Sequence, residues 1–107
     1  MERRVTLSGN RMPTKEAMHT YLARKLKFPS YYGKNLDALH DCLCEISHPL
    51  HITVTFTNRL TEALGDYGET FLEVLKDSAE ENKNIRITMY SERRSESATI
   101  DSIRKQK

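Results

Sequence analysis

FPSYYGKNLDALHDCL, residues Phe28 to Leu43, decides how this chain is read. Phe28-Pro29 closes whatever precedes it, and a Tyr-Tyr-Gly turn follows. Leu36, Leu39 and Leu43 then recur at i, i+3, i+7, a stripe that continues to Ile46 and marks one buried helix face. The other side of that helix carries Asp37 and Asp41 one turn apart, with Glu45 a further turn on. Like charges at this spacing repel, at a cost of roughly a few tenths of a kcal/mol per pair. A local rule broken in this way points to a site, the alternative being an ordinary solvated face.

Upstream of the stretch, Val5 and Leu7 alternate with polar residues in a short strand, Arg4 to Gly9, that Gly9-Asn10 ends in a turn. Thr14 is placed to cap a helix whose buried positions are Met18, Tyr21, Leu22 and Leu26. Downstream, His48-Pro49 stops the second helix, and HITVTF reads as a β-branched strand with Ile52, Val54 and Phe56 on one face. Arg59 to Leu64 makes one or two helical turns before Gly65. A longer helix from Asp66 buries Phe71, Leu72, Leu75, Ser78 and Ala79, and NIRITMY forms a third strand through Ile85, Ile87 and Met89. Strands separated by helices imply right-handed crossovers, and so an α/β fold: a small parallel sheet covered by helices.

Composition sets the limits on function. A chain of 107 residues is one domain, and 37% hydrophobic with 30% charged residues belongs to folded, water-exposed proteins. A mean hydropathy of -0.66 implies a thin core. No stretch approaches the roughly 20 apolar residues that span a bilayer. The opening MERRVTLSGN lacks the apolar segment of a secretory signal, so a cytoplasmic location without membrane contact is expected. Residues 1–90 form the domain. Residues 91–107, SERRSESATIDSIRKQK, are expected to be a mobile charged extension.

The two cysteines sit two apart on the second helix, pointing about 200° away from each other, so they neither pair nor share a metal. Cys42 falls on the core side and Cys44 on the helix surface. Charge is divided along the chain: residues 1–28 hold seven basic against two acidic side chains, and residues 29–82 three against ten. An acidic body with a basic arm is a statement about partners and encounter rates.

The motif Tyr-Tyr-Gly-x-Asn-Leu-Asp-Ala-Leu-x-Asp-Cys-Leu resembles the signature of the barstar family, intracellular inhibitors of barnase-type secreted ribonucleases. The resemblance is strong over the motif, and the order of elements from Val5 to Tyr90 fits the rest. It implies a three-stranded parallel sheet with about four helices packed on it, and a one-to-one complex with a guanyl-specific ribonuclease. In that complex the loop and second helix enter the nuclease active site. Carried over position by position, Asp41 stands for an RNA phosphate among the nuclease's catalytic cations. Asp37 and Gly33 support the contact, and Tyr31 packs on the catalytic histidine. Cys44 lies at a contact position, and on the last helix so do Asp77 and Glu81. The chain departs from the pattern at His40 and Ile46, where the family has aromatic residues, at Cys44, which replaces a hydroxyl, and at Asp77, one methylene shorter than a glutamate.

Other readings stand beside this one. Gly33 also suits a turn that needs a positive φ, Tyr32 suits a plug on the core, and Asn35 suits the cap of the turn. His40 and Asp41 are adjacent helix residues about 100° apart with no nucleophile, and His48 and His51 lack further ligands, so neither catalysis nor a cofactor or metal is expected. A different class of function is a nucleic-acid-binding module using Arg3, Arg4, Arg11 and Lys27 with the tail cations. Its basic segment, however, offers only Tyr21 for stacking, and direct nucleic-acid binding is disfavoured. A barstar-like interaction domain for another basic partner is the remaining alternative.

Overall fold

The computed structural model describes residues 2–91. Its order is β1 (Arg3–Ser8), a 3-10 turn (Gly9–Arg11), α1 (Lys15–Leu26), α2 (Leu36–Cys44), β2 (Leu50–Thr55), α3 (Thr57–Leu64), α4 (Asp66–Glu81) and β3 (Ile85–Met89). The three strands run parallel in the order β1-β2-β3. This is the α/β architecture expected from the element order. The greater part of the 91–107 extension lies outside the described residues.

The register explains where the core sits. Val5 aligns with Ile52 and Ile87, and Leu7 with Val54 and Met89, so one sheet face is a block of buried aliphatic side chains. The opposite face carries Arg4, His51 and Arg86 in one row and Thr6, Thr53 and Thr88 in the next. Arg4, Thr6 and Arg86 are exposed, so the helix cover is on the aliphatic face. The alternation in all three strands is the sequence signal of that one-sided burial.

Local chemistry sets the helix ends. The Thr14 hydroxyl accepts the Ala17 N–H at 3.0 Å and caps α1, which closes at Lys27 in the left-handed region (φ 59). Thr57–Leu64 begins two residues before the expected Arg59. Phe56 departs from its expected place on the strand face with Ile52 and Val54. It takes φ 56, is only half-buried, and its carbonyl accepts the N–H groups of Arg59 and Leu60. The chain must reverse at once from β2 into α3, and a left-handed residue makes that turn where an extended one cannot. Gly9 is the matching feature on the other side: a Cβ there would lie 2.1 Å from the Phe56 carbonyl oxygen.

Candidate functional site

The candidate site is built on the loop before α2, on α2, and on the end of α4. Its loop is set by two tyrosines that point opposite ways. Tyr31 is 77% exposed, whereas Tyr32 is 6% exposed, as a plug on the core should be, with its ring 4.8 Å from that of Phe28. The Tyr32 hydroxyl lies 2.6 Å from Nδ1 of His19 on α1, and Nε2 of the same ring lies 2.6 Å from the hydroxyl of Tyr67 on α4. One buried imidazole thus pins the loop to two helices. Periodicity carried a trace of this: His19, Leu22 and Leu26 share the i, i+3, i+7 spacing of the buried face.

Burial holds the His19 pKa below its ordinary value, and the Lys34 cation adds to the effect. Burial also raises the Tyr32 phenol, with smaller contributions from Cys42 and Tyr67, and raises Tyr67. A neutral imidazole accepts from one hydroxyl and donates to the other, but the protonated ring accepts from neither. His19 is therefore neutral in the folded chain at pH values where the unfolded chain, near 6.5, still holds its proton. Its contribution to stability is complete above about pH 6.5 and is lost as pH falls through the depressed folded value. Urea midpoints measured across this window should fall with pH for the wild type, and the difference between wild type and His19→Gln should shrink as pH falls. A difference independent of pH would remove His19 as the titrating group.

The helix itself is started by Asn35. Its Oδ1 accepts the Ala38 N–H at 2.7 Å, and its Nδ2 donates to the Gly33 carbonyl at 3.3 Å. The left-handed residue of the turn is Lys34 (φ 58), so the reading of Gly33 as the positive-φ position is corrected. Gly33 answers a packing demand instead: a Cβ there would approach that of Ala38 to 3.3 Å. Leu39 and Leu43 are fully buried, and Leu36 and Ile46 pack on the core at its edge, Ile46 just beyond the last helical turn. Asp37, Asp41 and Glu45 are exposed on the other side. Asp37 lies in the first turn, where the helix dipole favours it, but Glu45 caps the C-terminus, where the dipole opposes it. Among the described residues no basic side chain lies within ion-pair distance of any of the three.

Asn82 joins α4 to this helix. Its Nδ2 donates to the carbonyls of Leu43 and Ile46, both at 2.9 Å, while Asn84 donates to Ile46 at 3.2 Å. These carbonyls lie at and just beyond the end of α2, where the regular i+4 donors run out; the Leu43 carbonyl also accepts the Ile46 N–H at 3.2 Å. Asn82→Ala should lower stability by about 1–3 kcal/mol, read by chemical denaturation, because two amide hydrogen bonds worth roughly 0.5–1.5 kcal/mol each are lost, although Leu43 keeps the Ile46 N–H and Ile46 keeps Asn84 as donors. An unchanged midpoint would mean that water replaces the amide without loss.

The docking carries Glu81 to His40 and Cys44. His40 Nε2 lies 3.4 Å from Glu81 Oε2, Cys44 Sγ 3.7 Å from Glu81 Oε1, and Cys44 Sγ 3.7 Å from His40 Nε2. Of the candidate contact residues, Tyr31, Gly33, Asp37, Asp41, Asp77 and Glu81 are exposed and His40 and Cys44 half-buried. Only His40, Cys44 and Glu81 touch one another. Asp77 stands one turn before Glu81 on α4. Cys44 is thus not a plain surface residue; burial raises its thiol, and the charges of Glu81 and Asp41 raise it further. Cys42 packs at the edge of the core, as expected.

The basic arm is differently disposed. Arg3 donates to the Lys25 carbonyl at 3.1 Å. Tyr21 is buried and its hydroxyl accepts the Ser8 N–H at 3.0 Å, so it offers no ring for base stacking. No helix among the described residues is long and apolar enough to cross a membrane.

A one-sided parallel sheet, a loop pinned from beneath and a helix whose acidic side has no ion-pair partner among the described residues define an α/β domain with an exposed acidic face. The family model described as Barstar (barnase inhibitor) matches residues 2–92, and the chain belongs to the barstar family. It is similar to a Bacillus subtilis (strain 168) protein named "Putative ribonuclease inhibitor YrdF", with 37% identity over 83 residues, 77% of this chain and 91% of that one.

Proposed function

We propose that this chain is an inhibitor, not an enzyme, that blocks the active site of a barnase-type guanyl-specific ribonuclease in a one-to-one complex. Family membership and the name of the B. subtilis relative support the inhibitor role. The observation that carries the mechanism is the exposure of Asp37 and Asp41 on a firmly seated helix with no cation within ion-pair distance among the described residues.

A ribonuclease that cleaves a phosphodiester holds it in a preorganised anion site of arginine, lysine and histidine. The Asp41 carboxylate enters that site as a phosphate mimic and accepts charge-assisted hydrogen bonds. It has no scissile bond and is not turned over. Tyr31 supplies exposed aromatic area beside it, with Gly33 and Asp37 flanking, while His40, Cys44, Asp77 and Glu81 extend the face across α2 and α4. The excess of acidic side chains over residues 29–82 speeds encounter with a basic nuclease. Such an inhibitor protects its producer from inside the cytoplasm.

The test is calorimetric titration of a catalytically disabled guanyl-specific ribonuclease into the chain at low and high salt. Tight binding at one-to-one stoichiometry that weakens with salt is expected. Absence of binding at both salts would overturn the barnase-type assignment and move the acidic face to a different basic partner.

A further inference from the structure

The two cysteines cannot share a metal, but Cys44 has other neighbours. His40 and Cys44 are four apart on α2 and so stand on one face of it, and α4 brings Glu81 against both. We propose that His40 Nε2, Cys44 Sγ and the Glu81 carboxylate form a binding site for a thiophilic divalent cation of the zinc class. The assignment concerns the chain alone and does not depend on its being a ribonuclease inhibitor.

The geometry carries the argument. A tetrahedral zinc ion with ligand bonds of about 2.0–2.3 Å sets its ligand atoms roughly 3.4–3.6 Å apart along each edge. His40 Nε2 lies 3.4 Å from Glu81 Oε2, and Cys44 Sγ 3.7 Å from Glu81 Oε1 and from His40 Nε2; with one carboxylate oxygen taken, the three ligand atoms lie within 4.8 Å of one another, so a rotation of the exposed Glu81 side chain closes them onto a cation. Three ligands with one position left to solvent is a common zinc arrangement. The frame is already built, because the Asn82 bonds to Leu43 and Ile46 hold the two helices in place before any ion arrives. Ligand type selects the metal: one thiol, one imidazole and a single carboxylate suit zinc, whereas calcium and magnesium require shells of oxygen. Asp41, exposed on the adjoining turn, adds the local negative potential that draws a dication in. On binding, the thiol gives up its proton to solvent and the sulfur coordinates as thiolate.

The experiment uses the reduced, metal-free full chain, titrated with zinc by calorimetry and with cobalt(II) by absorption spectroscopy. One cation per chain and a thiolate-to-cobalt charge-transfer band are expected. Cys44→Ser should abolish the band, and Cys44→Ser, His40→Gln and Glu81→Gln should each weaken zinc by about tenfold or more. His48→Gln, at an exposed position outside the three-residue group, should change nothing. Circular dichroism verifies that these surface variants fold. Absence of the band, or a band and affinity that survive in Cys44→Ser or His40→Gln, would overturn the site.

Discussion

Asp41→Ala is expected to weaken binding to a catalytically disabled guanyl-specific ribonuclease by at least about 2 kcal/mol, the range of interface hot spots. In the proposed complex the carboxylate is the group placed among the nuclease's cations, and its removal would leave those cations buried and unpaired. The same substitution should leave the free protein at least as stable as the wild type, by up to roughly 1 kcal/mol. It removes two like-charge contacts, with Asp37 and Glu45, and puts the strongest helix former into a helix interior. Opposite signs in the two measurements would distinguish a functional carboxylate from a structural one. Equal affinities for wild type and variant would sink the phosphate-mimic role, and a destabilised variant would assign Asp41 a part in the fold.

The second large effect is on the frame beneath. Leu39→Ala should cost about 2–5 kcal/mol in urea unfolding, the usual range for emptying a fully buried leucine site. Nine residues do not make a stable helix alone in water, and α2 is held by the burial of Leu39 and Leu43 together with the amide bonds from Asn82. Since Leu39 does not reach the exposed side, a loss of partner affinity in this variant would report displacement of the helix, not removal of a contact. A stability change under about 1 kcal/mol would mean that the surroundings collapse into the gap and that α2 rests on other supports.

Much of this was legible along the chain. Alternation over Val5–Leu7, Ile52–Val54 and Ile85–Met89, with helical spacing between, determined three parallel strands and their crossovers, because side-chain period follows directly from backbone geometry. The motif from Tyr31 to Leu43 determined the family, and the charge pattern determined which side of α2 faces outward. Where the chain was read one residue too far, at Phe56, or one residue too early, at Gly33 for Lys34, the cause was local. A reversal into a helix and a tight turn each need a left-handed residue, and non-glycine residues took both positions.

What periodicity does not encode is which elements meet. His19 is only a residue on a buried stripe until α4 and the loop before α2 bring Tyr67 and Tyr32 to its two nitrogens. Cys44 is only a surface thiol until Asn82 seats α4 against α2 and carries Glu81 to it over 37 residues of sequence. Sequence alone determined the fold class, the acidic helix and its outward face, all of which arise from patterns within single elements. Tertiary structure alone decided the pinning of the loop and the His40, Cys44 and Glu81 cluster, because each depends on side chains from separate elements reaching one point in space.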